Sequence, residues 1–196
     1  DKTEKLVAHI ADARERGLEV LPPDVNESAR SFHGVPGQIR FGLGGIKGVG
    51  ANAIDAILEA RERDGRPFSG LYDFCERVDL RRVNRKVIEC LVRCGAFDFT
   101  GIPRWRLFAA IDSALERGQA AQRDKAIGQG SLFGLLGGAG AEATKDAGPG
   151  CDGEYPQVEP WTDKEKLTGE RETLGFYITP HPLDPYVDEI RRYATH

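Results

Sequence analysis

The sequence contains no methionine and opens on Asp1, so it reads as a piece of a longer protein. Long apolar runs are missing too, the longest being a handful of residues, which excludes a membrane-spanning helix. The charged opening "DKTEKLVAHIADARERG" has no signal-peptide pattern. Cysteine is scarce: Cys75, Cys90, Cys94 and Cys151 form no Cys-x-x-Cys pair. Cys90 and Cys94 share a helical face, but His9, His33, His181 and His196 are scattered and fit no zinc-ligand spacing. The expectation is buried, reduced thiols in a reducing cytoplasm, with no metal site. A large excess of either charge is also lacking. Against 31 acidic residues stand 27 Lys and Arg, a net charge of -4, which argues against a generic polycationic nucleic-acid binder.

What is present is 196 residues, 40% hydrophobic and 30% charged, enough for one domain with a sizeable core or one domain with appendages. The average charge hides a local reversal. Arg77, Arg81, Arg82, Arg85, Lys86 and Arg93 face only Asp79 and Glu89 over the same stretch. Such a cluster is either a solvated helical face or a phosphate-facing patch, and charge alone does not choose between them.

Helical periodicity dominates. Lys5 to Arg16 reads as a helix, and Pro22-Pro23 then enforces an extended path. "RSFHGVPGQIRF" has the pattern of a β-hairpin, with strands Ser31–His33 and Gln38–Phe41 about a Gly34–Gly37 turn. Helices are expected from Ala51 to Arg63, from a Ser69 N-cap through "GLYDFCERV", from Asn84 to Arg93, and from Arg104 to Arg117. Nine of the 24 glycines fall between Gly128 and Gly153, which marks a linker. Beyond it, Thr162-x-x-Glu165 has capping-box spacing, and "TPHPLDPYVDEIRRY" holds a proline-rich turn and a last short helix.

The chemistry concentrates in "IKGVGANAI". Gly48 and Gly50 can take positive φ and leave the backbone unobstructed, so amides around Gly48 to Ala51 point outward at a helix start. Lys47 adds charge beside them. This is a recipe for holding a nucleic-acid phosphate without reading bases. Gly48-x-Gly50-x-x-Ala53 also satisfies the dinucleotide-binding pattern, but that fold needs a buried strand where "GLGGIK" stands. A purely structural helical hairpin is the third reading. Cys94-Gly95-Ala96-Phe97 is a weaker copy of the first turn, and a basic helix lies between the two.

Three stretches, "IRFGLGGIKGVGANAIDAILEAR", "LYDFCERVDLRRVNRKVIECLVRCGAFD" and "GERETLGFYITPHPLDPY", closely resemble the C-family replicative polymerases, the alpha subunits of bacterial DNA polymerase III. The resemblance runs from about Lys5 to the end. It implies a mainly α fold: a tandem helix-hairpin-helix domain with a small N-terminal β-hairpin and a Gly-rich linker. Residues 1–41 would end the fingers region and 42–120 form the DNA-binding domain. Residues 121–160 would be a flexible segment, and 161–196 a helical connector toward an oligonucleotide-binding domain beyond His196.

The resemblance also implies roles. Gly48, Val49 and Gly50 match the family hairpin, and Lys47 its preceding lysine. With Arg81, Arg82, Arg85, Lys86 and Gly95 they are the expected contacts to duplex DNA. Gln129-Gly130-Ser131-Leu132-Phe133 resembles the family's sliding-clamp motif, with Gln129, Ser131, Leu132 and Phe133 as its contacts. Two apolar anchors on a glycine-rich tether suit a preformed pocket on a partner. The remaining domains and subunits of the replicative holoenzyme are implied partners, and a membrane is not. The family's catalytic aspartates belong to the palm. No Asp-x-Asp appears here, so no catalytic residue and no cofactor are expected in this stretch, while the parent polymerase would use Mg2+. The rivals are a stand-alone helix-hairpin-helix repair protein and the error-prone branch of the same polymerases, which "QGSLF" disfavours.

Overall fold

A computed structural model describes residues 8–10, 12–13, 16–127 and 155–178. They are mainly α, with one small sheet. Three strands, β1 (Glu19–Leu21), β2 (His33–Val35) and β3 (Gln38–Arg40), lie in the order β1-β3-β2. β3 pairs antiparallel with β2 through Gly34 opposite Ile39, and parallel with β1 through Val20 opposite Ile39. The expected hairpin is present with its strands displaced. Pro36 and Gly37, the latter at φ +74°, make the corner, so β2 runs two residues past His33. β1 has no counterpart in the sequence reading. Of the expected first helix, residues 8–10 and 12–13 are helical.

Among the described residues six α-helices follow: α1 (Ala51–Asp64), α2 (Leu71–Arg77), α3 (Arg85–Arg93), α4 (Arg104–Ala109), α5 (Ile111–Ile127) and α6 (Asp163–Leu174). The periodic apolar residues explain them. Ile54 and Ile57 of α1, Val87, Ile88 and Leu91 of α3, and Ile111 of α5 are buried with Phe41, Phe68, Phe74 and Phe97 in one core. Phe74 meets Phe97 edge to face at 5.1 Å. Gly118 lets α5 cross α2 closely, because a Cβ there would strike the Cys75 backbone.

Several local expectations are corrected. The N-cap of α2 is Gly70, not Ser69, whose amide instead donates to Asp73 Oδ2 at 3.0 Å. The expected Arg104–Arg117 helix is two helices, since the chain flattens at Ala110 (ψ -2°) and α5 then runs ten residues further. Asn84 caps α3 by accepting from the Val87 amide, and α6 starts with the full Thr162–Glu165 capping box.

The expected flexible stretch 121–160 is helical at its start. At its end it is docked: Tyr155 is buried against Tyr72, and its hydroxyl accepts the Leu71 amide at 3.2 Å. Arg106 holds the carbonyls of Tyr155 (2.8 Å) and Pro156 (3.3 Å). The Gly-rich tract 128–154, with Gln129 to Phe133 and Cys151, and the proline-rich turn and last helix beyond residue 178 lie outside the described residues. No helix among the described residues is long and apolar enough to cross a membrane.

Candidate nucleic-acid interface

The turn between a 3-10 segment (Leu43–Gly45) and α1 is built on two apolar pins, Ile46 and Val49, both buried. Pinning these two residues, three apart, leaves Lys47, Gly48 and Gly50 exposed. No strand leads into Gly48, so the dinucleotide-fold reading lacks its buried strand. Gly48 alone of the two glycines is left-handed, at φ +84°, and a Cβ there would lie 2.7 Å from Cys90 Sγ on α3. Gly50 is extended (φ -77°, ψ 162°), and a Cβ on it would meet nothing within 4 Å. Among the described residues neither strain nor packing calls for glycine at position 50. A close-approaching partner would.

Gly50 caps α1 without a side chain, and the first turn of α1 carries no acidic residue. The amides of Gly48, Gly50, Ala51 and Asn52 find no acceptor among the described residues. The positive end of a 14-residue helix is thus left open to solvent beside Lys47. The starts of α3 and α6 differ: Asn84 closes α3, and the capping box with Asp163 and Glu165 closes α6.

The basic cluster divides when folded. Arg77 is not part of any patch. It is buried, donating to Asp64 (2.6 Å), Asp73 (3.0 Å) and the carbonyls of Pro67 (3.1 Å) and Arg66 (2.9 Å), and its guanidinium lies 4.3 Å from the Phe68 ring centre. Arg93 pairs with Glu172 at 3.0 Å and covers Phe108. Arg81, 90% exposed, touches Asp79, and Lys86 reaches only toward Glu89 at 3.5 Å. Arg85 bridges Glu89 (2.9 Å) and Asp112 (2.5 Å).

Arg82 donates to the Asn52 carbonyl (3.0 Å) and to Glu59 (2.6 Å), which brings it against the first turn of α1. Lys86 stands one helical turn before Cys90, the residue beneath Gly48. The structure therefore gathers Lys47, Gly48, Gly50, Arg82 and Lys86 about one helix start and leaves Arg85 and Arg81 to the side. Arg85 first, then Lys86, holds the Glu89 carboxyl below its usual range, and Arg81 does the same to Asp79.

Gly95, expected at a second phosphate-facing turn, is buried instead. It too is left-handed (φ +84°), but Asp98 and the Arg104 guanidinium close over it, and a Cβ would lie 2.6 Å from Asp98 Oδ2. Its amide and that of Ala96 are spent on Val92 and Leu91 carbonyls. Arg104 bonds Asp98 (2.8 and 2.5 Å) and Glu170 (2.8 Å). Burial opposes its charge, but the Asp98 and Glu170 carboxylates outweigh burial and raise its pKa. The two turns look alike in sequence, but the first is exposed and the second is buried under Asp98 and Arg104.

Cys75, Cys90 and Cys94 are buried and unbridged, and burial pushes the Cys75 and Cys94 thiols up to about 12. Among the described residues no three His, Cys, Asp or Glu side chains gather into a group that could hold a metal ion.

Residues 17–107 match the helix-hairpin-helix motif family. Over all of its length the chain is 42% identical to DNA polymerase III subunit alpha of Vibrio cholerae serotype O1, covering 16% of that protein. It is 41% identical to that of Escherichia coli strain K12 (99% of this chain, 16% of the relative) and 39% to that of Mycobacterium tuberculosis (94% and 15%). The chain thus spans about 16% of the first two relatives.

Proposed function

Since the chain belongs to the DNA polymerase III alpha-subunit family, we propose that it serves a replicative DNA polymerase by holding duplex DNA through its phosphates. The open start of α1 carries this reading: solvent-facing amides without a described protein acceptor, a capping glycine with free space about it, and Lys47 alongside. Such a site takes an anion and reads no base, which suits an enzyme that must hold every sequence it copies. Arg82 and Lys86 flank the same point and add sequence-independent attraction. Nucleotidyl transfer and its Mg2+ are assigned to other parts of the whole protein. Reduced, buried thiols suit work in the cytoplasm.

The same reading gives Gln129-Gly130-Ser131-Leu132-Phe133 to a sliding clamp, with Leu132 and Phe133 as apolar anchors and Gln129 setting register. Two titrations test the two halves. Lys47→Glu is expected to weaken all duplexes alike, and a loss confined to one sequence would refute phosphate holding. Leu132→Ala with Phe133→Ala is expected to remove clamp binding, at roughly thirtyfold in affinity per anchor, and to leave the melting temperature unchanged. A variant that melts lower yet keeps its clamp affinity would show that the pair packs on its own domain.

A further inference from the structure

We propose that Glu170 is a positioning residue for the phosphate-holding turn: it fixes α6 so that the Thr173 carbonyl holds the Lys47 amide and sets the aim of the turn. The proposal rests on the DNA reading above. Glu170 is completely buried, yet it lies on a helix with little apolar surface to dock by. Its Oε1 accepts from Arg104 at 2.8 Å, and its Oε2 accepts the Ile178 amide at 2.9 Å. Arg104 also donates to the Arg93 carbonyl at 3.3 Å, so one guanidinium joins α6 to the end of α3 and to the inward-facing second turn.

One helical turn past Glu170, the Thr173 carbonyl accepts the Lys47 amide at 2.7 Å. Around that bond the fit is close. The Thr173 hydroxyl donates back to the Gly169 carbonyl at 2.6 Å, Gly169 rests on the stem of Arg93, and Phe176 packs on Phe41 just before the 3-10 segment. Lys47 is the one residue of the exposed turn whose amide is committed to another element. Arg104, beside the second hairpin, thus supplies a ligand to α6, and α6 in turn braces the first hairpin. A buried ion pair docks such a helix in one geometry, because any other leaves a charge unpaired away from water.

The test uses the full-length protein and a fluorescein-labelled duplex of mixed sequence. Glu170→Gln keeps the side-chain shape and removes the charge. Hydrogen exchange at the Lys47 amide is expected to quicken by about tenfold or more, the scale of one lost charge-assisted buried bond, while Ile57 and Leu58 in α1 stay protected. Duplex affinity should fall about threefold to tenfold, and the slope of log affinity on log salt should shrink by about one. A structural defect remote from the turn would not change that slope.

Adding Lys47→Glu should then bring no further loss beyond Lys47→Glu alone, because both act through one turn. Unchanged exchange at Lys47, or losses that multiply in the double variant, would overturn the proposal. If Lys47→Glu by itself leaves affinity intact, the DNA reading fails, and the Lys47 exchange rate alone decides whether Glu170 positions the turn. Should Glu170→Gln not fold, Gly169→Leu lifts α6 from Arg93 without touching a buried charge. It must give the same exchange and affinity pattern, and a protected Lys47 there overturns the proposal.

Discussion

Gly48 and Gly50 stand two residues apart in one turn and answer to different constraints, so alanine at each should have different consequences. At Gly48 an L-residue would have to hold φ +84°, which costs roughly 1–2 kcal/mol. Its methyl would also lie 2.7 Å from Cys90 Sγ, and relieving that overlap costs about 1–3 kcal/mol more. Gly48→Ala should therefore destabilise the turn by about 2–5 kcal/mol in all. At Gly50 neither penalty applies, since φ is -77° and the space is empty. Alanine is the poorer N-cap by about 0.5–1 kcal/mol, and its stiffer unfolded chain offsets about the same amount.

Native-state hydrogen exchange at Val49, Ala53 and Ile54, whose amides close the turn and the first turn of α1, reads the local opening free energy at both positions. Gly48→Ala should speed these amides strongly and Gly50→Ala hardly at all. If the turn holds a phosphate as proposed, duplex affinity should nevertheless fall for Gly50→Ala, because its methyl would fill the open space at the helix start. Introducing Cys90→Ala should recover part of the Gly48→Ala loss, with a coupling of about 1 kcal/mol or more. Equal exchange rates in the two glycine variants, or no coupling to Cys90, would show that the left-handed backbone and the Cys90 contact do not constrain Gly48.

Two further predictions concern the frame around the site. Arg77→Lys keeps the charge but loses the fork that serves two carboxylates and several carbonyls. It should cost about 3 kcal/mol in chemical denaturation, and a cost within experimental error of zero would contradict the buried-clamp assignment. Asp64, held by Arg63 and then Arg77, has its carboxyl lowered from 3.8 to about 2. A depressed carboxyl stabilises the fold fully above its ordinary pKa, and that contribution is lost as pH falls from about 4 through 2. Asp64→Asn should start less stable at neutral pH and lose less stability across that window, and parallel acid curves for the two proteins would rule the linkage out.

Local signals survived translation into structure. The start of α1 at Gly50, the Asn84 cap and the Thr162–Glu165 box are each decided within four residues, so pattern alone locates them. What depended on distant chain was not legible. β1 is three residues long and exists because β3 lies beside it, a pairing that no short window contains. Arg77 reads as one more positive charge until α1 and the loop at residues 66–67 fold around it. Gly95 repeats the signature of Gly48, and only Arg104 and Asp98, later in the chain, turn it inward. The bond from Lys47 to Thr173 spans most of the chain and leaves no trace in sequence spacing.

The most direct measurement of the central claim is duplex affinity against salt, for two duplexes of unrelated sequence and for Lys47→Glu. Phosphate holding predicts one steep line shared by both sequences from about 50 to 200 mM salt, and for Lys47→Glu a weaker line whose slope is lower by about one. A slope unchanged by Lys47→Glu, or separate lines for the two sequences, would contradict it.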